Sequence, residues 1–322
     1  MLLSRVAERL YWLARYVERV ENTARLSKIH SQLMFDLPKS VKLNWYTLVE
    51  LTSSEDYFDE HYDARTEKNC MWMLLGDRNN SASLISSLWW ARENIRTTRD
   101  SLPREAWVYI NEIYLYVKDN IDDLQVRSRR NALLEKVIRA CQAISGMLMG
   151  TMADNAAFRF LMLGQLIERA DMTSRILDVG GYFAAQEDNP EEVEQYGSIL
   201  WANILKSIGI YFMYRQTVQI EINGNSVIEF LVYDDKQFRS LKYCSERLYE
   251  LSSSLPNSRK VLMVIKQLQD LIHQPPEIEA GSSTLHDYLD EIQLAISAIH
   301  SVCYQTWFYP EVEAVSDMKN IQ

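Results

Sequence analysis

Glycine and proline are scarce in this chain, 10 and 7 of 322 residues, and together they reach about half the usual share. Strand-like alternation is rare as well, so a turn-rich β architecture is excluded and an almost entirely helical protein is expected. No apolar run approaches the ~18 residues a membrane span needs. The opening MLLSRVAERLYWL becomes charged at Arg5 and lacks the apolar core and cleavage site of a signal peptide. The cysteines Cys70, Cys141, Cys244 and Cys303 form no C-x-x-C pair, so they read as reduced core thiols in a cytoplasmic protein. None of the five histidines (His30, His61, His273, His286, His300) lies four residues from another, which removes a helical zinc site of the usual His spacing. No P-loop, Gly-rich phosphate fingerprint or nucleophile elbow occurs, so nothing indicates nucleotide binding or acyl transfer by this chain alone. Basic residues are outnumbered, 34 against 44 acidic, for a net charge of −10. That balance argues against nucleic acid as a partner. The one basic knot, Arg127-Ser128-Arg129-Arg130, reads as a solvated helix end.

Leu, Ala, Glu, Arg and Met abound, with 8 Trp and 18 Tyr. Most of these aromatics should pack between helices, although aromatic-rich surfaces also favour partner binding. Helical periodicity predicts helices over 4–35, 41–52, 65–76, 81–101, 103–119, 129–151, 154–178, 190–216, 236–254, 257–273 and 283–307, with an acidic loop at 54–63. Breaks are expected at Asp36-Leu37-Pro38, Gly180-Gly181, Asn189-Pro190, Leu255-Pro256 and Gln274-Pro275-Pro276. None is a long linker, so residues 1–322 are expected to form one compact all-α, multi-helix domain. The segment 220–230 carries a hairpin-like Asn223-Gly224. A short helix capped by Asn225 or Ser226 is the preferred reading, because nothing else supplies partner strands.

One stretch recurs without gaps. AERLYWLARYVERVENTARL (7–26) aligns with AFRFLMLGQLIERADMTSRI (157–176), and 7 of the 20 positions are identical. The identities include Glu18/Glu168, Arg19/Arg169, Thr23/Thr173 and Arg25/Arg175, and Glu21 is matched by Asp171. The motif is E-R-x-[ED]-x-T-x-R, an internal pseudo-repeat on helices at about 4–35 and 154–178. On a helix Glu18, Glu21, Asn22 and Arg25 fall within about 100° of one another, with Arg15 at the border and Leu13, Tyr16, Val20 and Ala24 opposite. In the second copy Glu168, Asp171 and Arg175 occupy the equivalent stripe, bordered by Gln165. The acid four residues before the arginine is the favourable order for an ion pair.

Three readings of this constellation compete. It is a solvated polar face, in which each pair contributes only tenths of a kcal/mol. It is a structural network, in which two crossing helices pair Glu18 or Glu168 with arginines of the other copy. Or it is a ligand or metal site. In that case Glu18, Glu21, Glu168 and Asp171 would hold a hard cation such as Mg²⁺, or the arginines would clamp a carboxylate or phosphate. A di-iron bundle does not fit, since no Glu-x-x-His pair is present. A second polar helix carries Arg92, Glu93, Arg96 and Arg99, its arginines recurring on one face. That face suggests salt bridges to the carboxylate motif, or an anion-recognition wall from Arg92 and Arg96. Trp89 and Trp90 beside it read as core.

These residues carry a family resemblance. LLSRVAERLYWLARYVERVENTARL (2–26) resembles the opening signature of the bacterial alpha-E family, an all-helical family named for its glutamates. The likeness continues through ARENIRTTRD (91–100), Glu105, Trp107, Asn111 and Tyr114. It resumes at RFLMLGQLIERADMTSRILD (159–178) and, more loosely, EFLVYDDKQFRSL (229–241). Ala14 stands where that family's first copy usually has glycine, while Gly164 retains it. Asn80-Ser81-Ala82 and Gln237-Phe238-Arg239-Ser240 depart from the usual Asn-Pro-Ser and Phe-Pro-Arg-Ser. The resemblance implies a helical 226–233 and genomic neighbours of three kinds: a circularly permuted ATP-grasp protein, a transglutaminase-like protein and sometimes a proteasome-like peptidase. The expected function is that of a helical accessory or substrate-positioning partner of an ATP-grasp amide ligase, in synthesis of a small peptide or amide-linked metabolite. A stand-alone carboxylate-cluster enzyme with a divalent metal, and a purely structural scaffold, are the alternatives. The candidate polar cluster comprises Glu18, Glu21, Arg25, Glu168, Asp171 and Arg175, with Arg92, Glu93 and Arg96. No catalytic residue is singled out.

Overall fold

The computed structural model describes residues 2–36, 43–186, 190–218 and 221–309. Among these residues there are 14 α-helices and no strand. They are α1 (Ser4–Asp36), α2 (Thr47–Leu51), α3 (Glu55–His61), α4 (Glu67–Leu75), α5 (Leu84–Thr97), α6 (Arg104–Asp119) and α7 (Arg127–Thr151). The second half holds α8 (Ala156–Gln186), α9 (Pro190–Ile208), α10 (Tyr211–Thr217), α11 (Gly224–Tyr233), α12 (Leu241–Ser253), α13 (Arg259–His273) and α14 (Ser283–Cys303). A π-helical turn, Tyr304–Phe308, extends α14.

The two motif-bearing helices, α1 and α8, form the central pair. Helices α5 and α7 pack on α1, α12 and α14 pack on α8, and α13 lies across α12 and α14. In α1 the apolar series Leu10, Leu13, Val17, Val20 and Ala24 is buried at alternating three- and four-residue steps. Glu18, Glu21 and Asn22 on another face are buried too. A helix covered all round can sit only at the centre of a bundle. Its contact with α8 is close because Gly164 has no side chain: a Cβ there would lie 2.1 Å from the Tyr11 carbonyl oxygen.

Several boundaries differ from expectation. Gly180-Gly181 does not end a helix, and α8 runs through it. The pair is small because Cβ atoms there would meet Ile204 at 2.0 Å and Leu285 at 2.7 Å. Glycine in this place permits close packing. The helix expected over 190–216 is instead two, split at Gly209. This residue adopts φ +85°, and the Ile210 amide bonds back to the Leu205 carbonyl, a left-handed helix stop. The acidic stretch 54–63 is not a loop. It forms α3, with Glu55 and Asp56 in the first turn and His61 in the last, the polarity a helix dipole favours. Segment 224–233 is a helix, but its cap is Asn223, whose side chain accepts the Ser226 amide at 2.9 Å.

Trp89 and Trp90 are not core; they stand partly exposed, edge to face. Arg130 is not solvated but fully buried, donating to the Leu124 carbonyl and pairing with Glu67. The four cysteines are free and buried. The expected breaks at 37–38 and Asn189, the start of 41–52 and the strand-like Ile220 lie outside the described residues.

The close crossing is testable. Gly164→Ala forces the backbones of α1 and α8 apart and should cost about 1–3 kcal/mol, read as a lowered urea midpoint. An unchanged midpoint would show that this approach is not tight.

Candidate functional site

Helices α1 and α8 exchange charges across their crossing. Glu18 accepts from Arg169 (Nη2, 3.0 Å) and Gln165 (3.1 Å) and is ion-paired with Arg239 (2.9 Å). Glu168 accepts from Arg15 (2.7 Å) and from Arg19 (Nε, 2.6 Å; Nη2, 3.1 Å). Each motif glutamate is thus held by the arginine of the other motif, Arg19 to Glu168 and Arg169 to Glu18. The residues one turn earlier, Arg15 and Gln165, complete both sets. Glu18 and Glu168 are 1% and 2% exposed, so the solvated-face reading is corrected: this polar stripe is interior.

Burial by itself would raise both carboxyl pKa values. The flanking guanidiniums, Arg169 and Arg239 at Glu18, and Arg19 and Arg15 at Glu168, reverse that and hold both at about 2.

The acids at the fourth motif position make the expected i,i+4 pairs, Glu21 with Arg25 at 2.5 Å and Asp171 with Arg175 at 3.0 Å. Beyond that, the two flanks differ. On the first, the turn before α12 is clamped against the motifs. Arg169 donates to the Phe238 carbonyl, Thr173 donates to the Arg239 carbonyl, and the Arg239 side chain reaches Glu18, Asn22 and Glu21. On the second, Glu168 and Asp171 face a cleft of about 310 Å³, which neither Glu18 nor Glu21 lines.

Arg15, Arg19, Arg175 and His300 bring donors to that cleft, and the 52–54 turn and the Asn80–Ala82 loop close its rim. Arg15 is braced by the Trp12 ring, 4.9 Å from its guanidinium. Arg175 is braced by the Ser53 hydroxyl at 2.5 Å. His300 is hydrogen-bonded to Tyr11 through Nδ1 at 2.8 Å. Burial, reinforced by Arg15, lowers its pKa to about 4, so near neutral pH it is an uncharged donor or acceptor. Three guanidiniums against two carboxylates leave this wall cationic, in a chain whose overall charge is strongly negative.

The second polar helix does not join the motif. Arg92 donates to Asn111 (2.8 Å) and Glu93 (3.1 Å) and stacks on Trp107 and Tyr114. Arg96 pairs with Glu93 at 2.8 Å. Neither reaches Glu18, Glu21, Glu168 or Asp171 among the described contacts, so the expected bridge between α5 and the motif is corrected. Asn111, Trp107 and Tyr114 of α6 hold Arg92, and Glu93 holds Arg96, where they stand. The sequence reading missed Arg239, whose signal lay in the Gln237-Phe238-Arg239-Ser240 turn. It also missed His300, which has no sequence neighbour that betrays its place. The four motif carboxylates do not come together as a chelating group. Among the described residues, the His, Cys and carboxylate group whose ligand atoms all lie within 4.8 Å of one another is Asp178, His286 and Asp290.

Two Glu-Arg pairs reciprocally buried between helices agree with the description of a family model that matches residues 2–308: a predicted alpha-helical domain with a conserved ER motif. The chain belongs to the Alpha-E family. Among curated proteins, this Alpha-E chain is similar to uncharacterised proteins of Mycobacterium bovis and Mycobacterium tuberculosis, at 24% identity over 318 residues. The alignment covers 91% of this chain and 35% of each relative, so the chain spans about a third of their length. No solved structure matches. Within the described residues no helix is long and apolar enough to cross a membrane.

Glu18→Gln or Glu168→Gln leaves guanidiniums buried without their counter-charge and should destabilise by about 3–5 kcal/mol, measured by urea denaturation. The pH dependence follows from the same pair. Their folded pKa values lie below the ordinary 4.5, so the stability they contribute is complete above about pH 5 and drains away as pH falls toward about 2. A melting temperature flat from pH 5 down to 3 would contradict this assignment.

Proposed function

We propose that this Alpha-E chain is a helical accessory protein that positions a carboxylate-bearing substrate for an ATP-grasp amide ligase, in the making of a small peptide or amide-linked metabolite. The observation that carries this reading is the cleft beside Glu168. Its guanidiniums are pre-oriented by Glu168, Asp171, Ser53 and Trp12, so little side-chain freedom is lost when an anionic group docks. A planar guanidinium suits a carboxylate geometrically. No nucleotide-binding motif occurs in the sequence, which fits an ATP-using partner supplying the activation. A transglutaminase-like protein is a second expected partner, and nucleic acid and membrane are not.

A purely structural role is favoured by one observation, the full burial and compensation of Glu18 and Glu168. It accounts for the crossing but leaves the cationic cleft without a purpose. A stand-alone metal enzyme built on the four motif carboxylates has less support, because each of them already faces an arginine.

The test is co-expression with the neighbouring ATP-grasp protein, purification through a tag on one, and measurement of amine-dependent ATP turnover. Co-purification with stimulated turnover is expected. Arg175→Gln should preserve the complex while raising KM for the carboxylate substrate about tenfold or more, the loss of one charge-assisted contact. Tight ATP binding by this chain alone, or no complex and no stimulation, would overturn the reading.

A further inference from the structure

A second cavity, about 380 Å³, adjoins the cleft and shares Arg175 and Gln293 with it. Its chemistry is of the opposite sign. Asp178 of α8, His286 and Asp290 of α14, and Glu50 and Glu55 near the α2–α3 turn line it, with Arg175 the cation among them. At the motif, every carboxylate is neutralised by a guanidinium; here the carboxylates outnumber the cations. Such a wall gains by taking up a cation.

Three side chains are arranged to do so. Asp178 Oδ1 lies 2.8 Å from His286 Nδ1. That contact places the proton of the neutral ring on Nδ1 and leaves Nε2 with its lone pair. Nε2 in turn lies 3.7 Å from Asp290 Oδ2, one helical turn along α14. Two ligands bound at ~2.0–2.2 Å to a tetrahedral ion stand about 3.4 Å apart, so this pair is already near a chelating separation. A carboxylate on the far ring nitrogen is the usual support of a metal-bound histidine, fixing its tautomer and orientation.

We infer that His286 Nε2 and Asp290 chelate a divalent transition metal of the zinc class at the edge of the cleft, with Asp178 holding the imidazole from outside the coordination shell. An imidazole ligand selects zinc-class ions over magnesium, which prefers an all-oxygen octahedron. Two protein ligands leave open positions for water, or for an anionic group reaching across from the arginine-lined cleft. The inference does not rest on the ligase reading: the site would bind metal whether or not a ligase partner exists. In sequence its signal is His286-Asp287-Tyr288-Leu289-Asp290, an i,i+4 pair completed by an acid in place of a second histidine.

The test is titration calorimetry of the tag-free full chain with ZnCl₂ and, separately, MgCl₂. One zinc per chain with no magnesium heat is expected. His286 is largely exposed, so His286→Ala should keep the parent melting temperature and lose zinc affinity by about 100-fold or more. Asp178→Asn, which changes no ligand, should weaken it by about 10–100-fold, the usual effect of removing a support that orients a ligand. Protons compete with the metal for Nε2, so affinity should fall as the medium is acidified. Absence of zinc binding, His286→Ala binding as tightly as the parent, or magnesium binding as well as zinc would each overturn the proposal.

Discussion

The exchange of charges between α1 and α8 is the constraint from which the rest follows. Two carboxylates lie in the middle of a helical bundle, and neither is tolerable there alone. Each requires donors from the facing helix, so the two helices are locked in one register. A slip of one turn would leave Glu18 opposite Gln165 and Leu161 and separate Glu168 from Arg19. Gly164 makes the exchange possible by letting the backbones approach until the short Glu–Arg reach suffices. The apolar packing of α5, α7, α12 and α14 around this pair then excludes the water that would otherwise compete for the ions.

The two flanks of the crossing have the same central chemistry but different coverings. At Glu18 a turn from the second half of the chain is pinned by Arg169 and Thr173 and inserts Arg239, so the first glutamate is sealed by protein. At Glu168 the corresponding place is a cleft, with Arg15, Arg19 and Arg175 around it. The same kind of charge pair therefore acts as a lock on one side and as a pre-formed wall on the other. The arginine-rich cleft and the acidic second cavity share Arg175 and Gln293 in their walls, so cavities of opposite charge lie side by side.

Much of this was legible from residue order alone. The periodicity of Leu10, Leu13, Val17, Val20 and Ala24 gave α1, and the i,i+4 pairs Glu21–Arg25 and Asp171–Arg175 were readable because both partners lie on one helix. The pairing of motif glutamates with arginines of the other copy could be posed as one reading, since the repeat placed matching charges on two helices. What failed were particular inferences in which a residue type was taken for a local rule. Gly180-Gly181 resembled a break, yet marks a close approach to Ile204 and Leu285. The acidic run 54–63 resembled a loop, yet most of it is a helix with Glu55 and Asp56 in its first turn. Arg92 and Arg96 resembled partners for the motif, yet Glu93, Asn111, Trp107 and Tyr114 satisfy them where they stand.

The sequence by itself determined that the chain is helical, that two of its helices share a charged motif, and that they carry the signature of one family. Helical periodicity and i,i+4 spacing are properties of neighbouring residues, so they survive without a fold. Tertiary structure decided which flank of the crossing is sealed by Arg239 and which is open. It also brought His300 to the cleft and set Asp178 against His286. Those contacts join residues 69 to more than 280 positions apart, and only the packing of helices around the buried ion pairs brings them together.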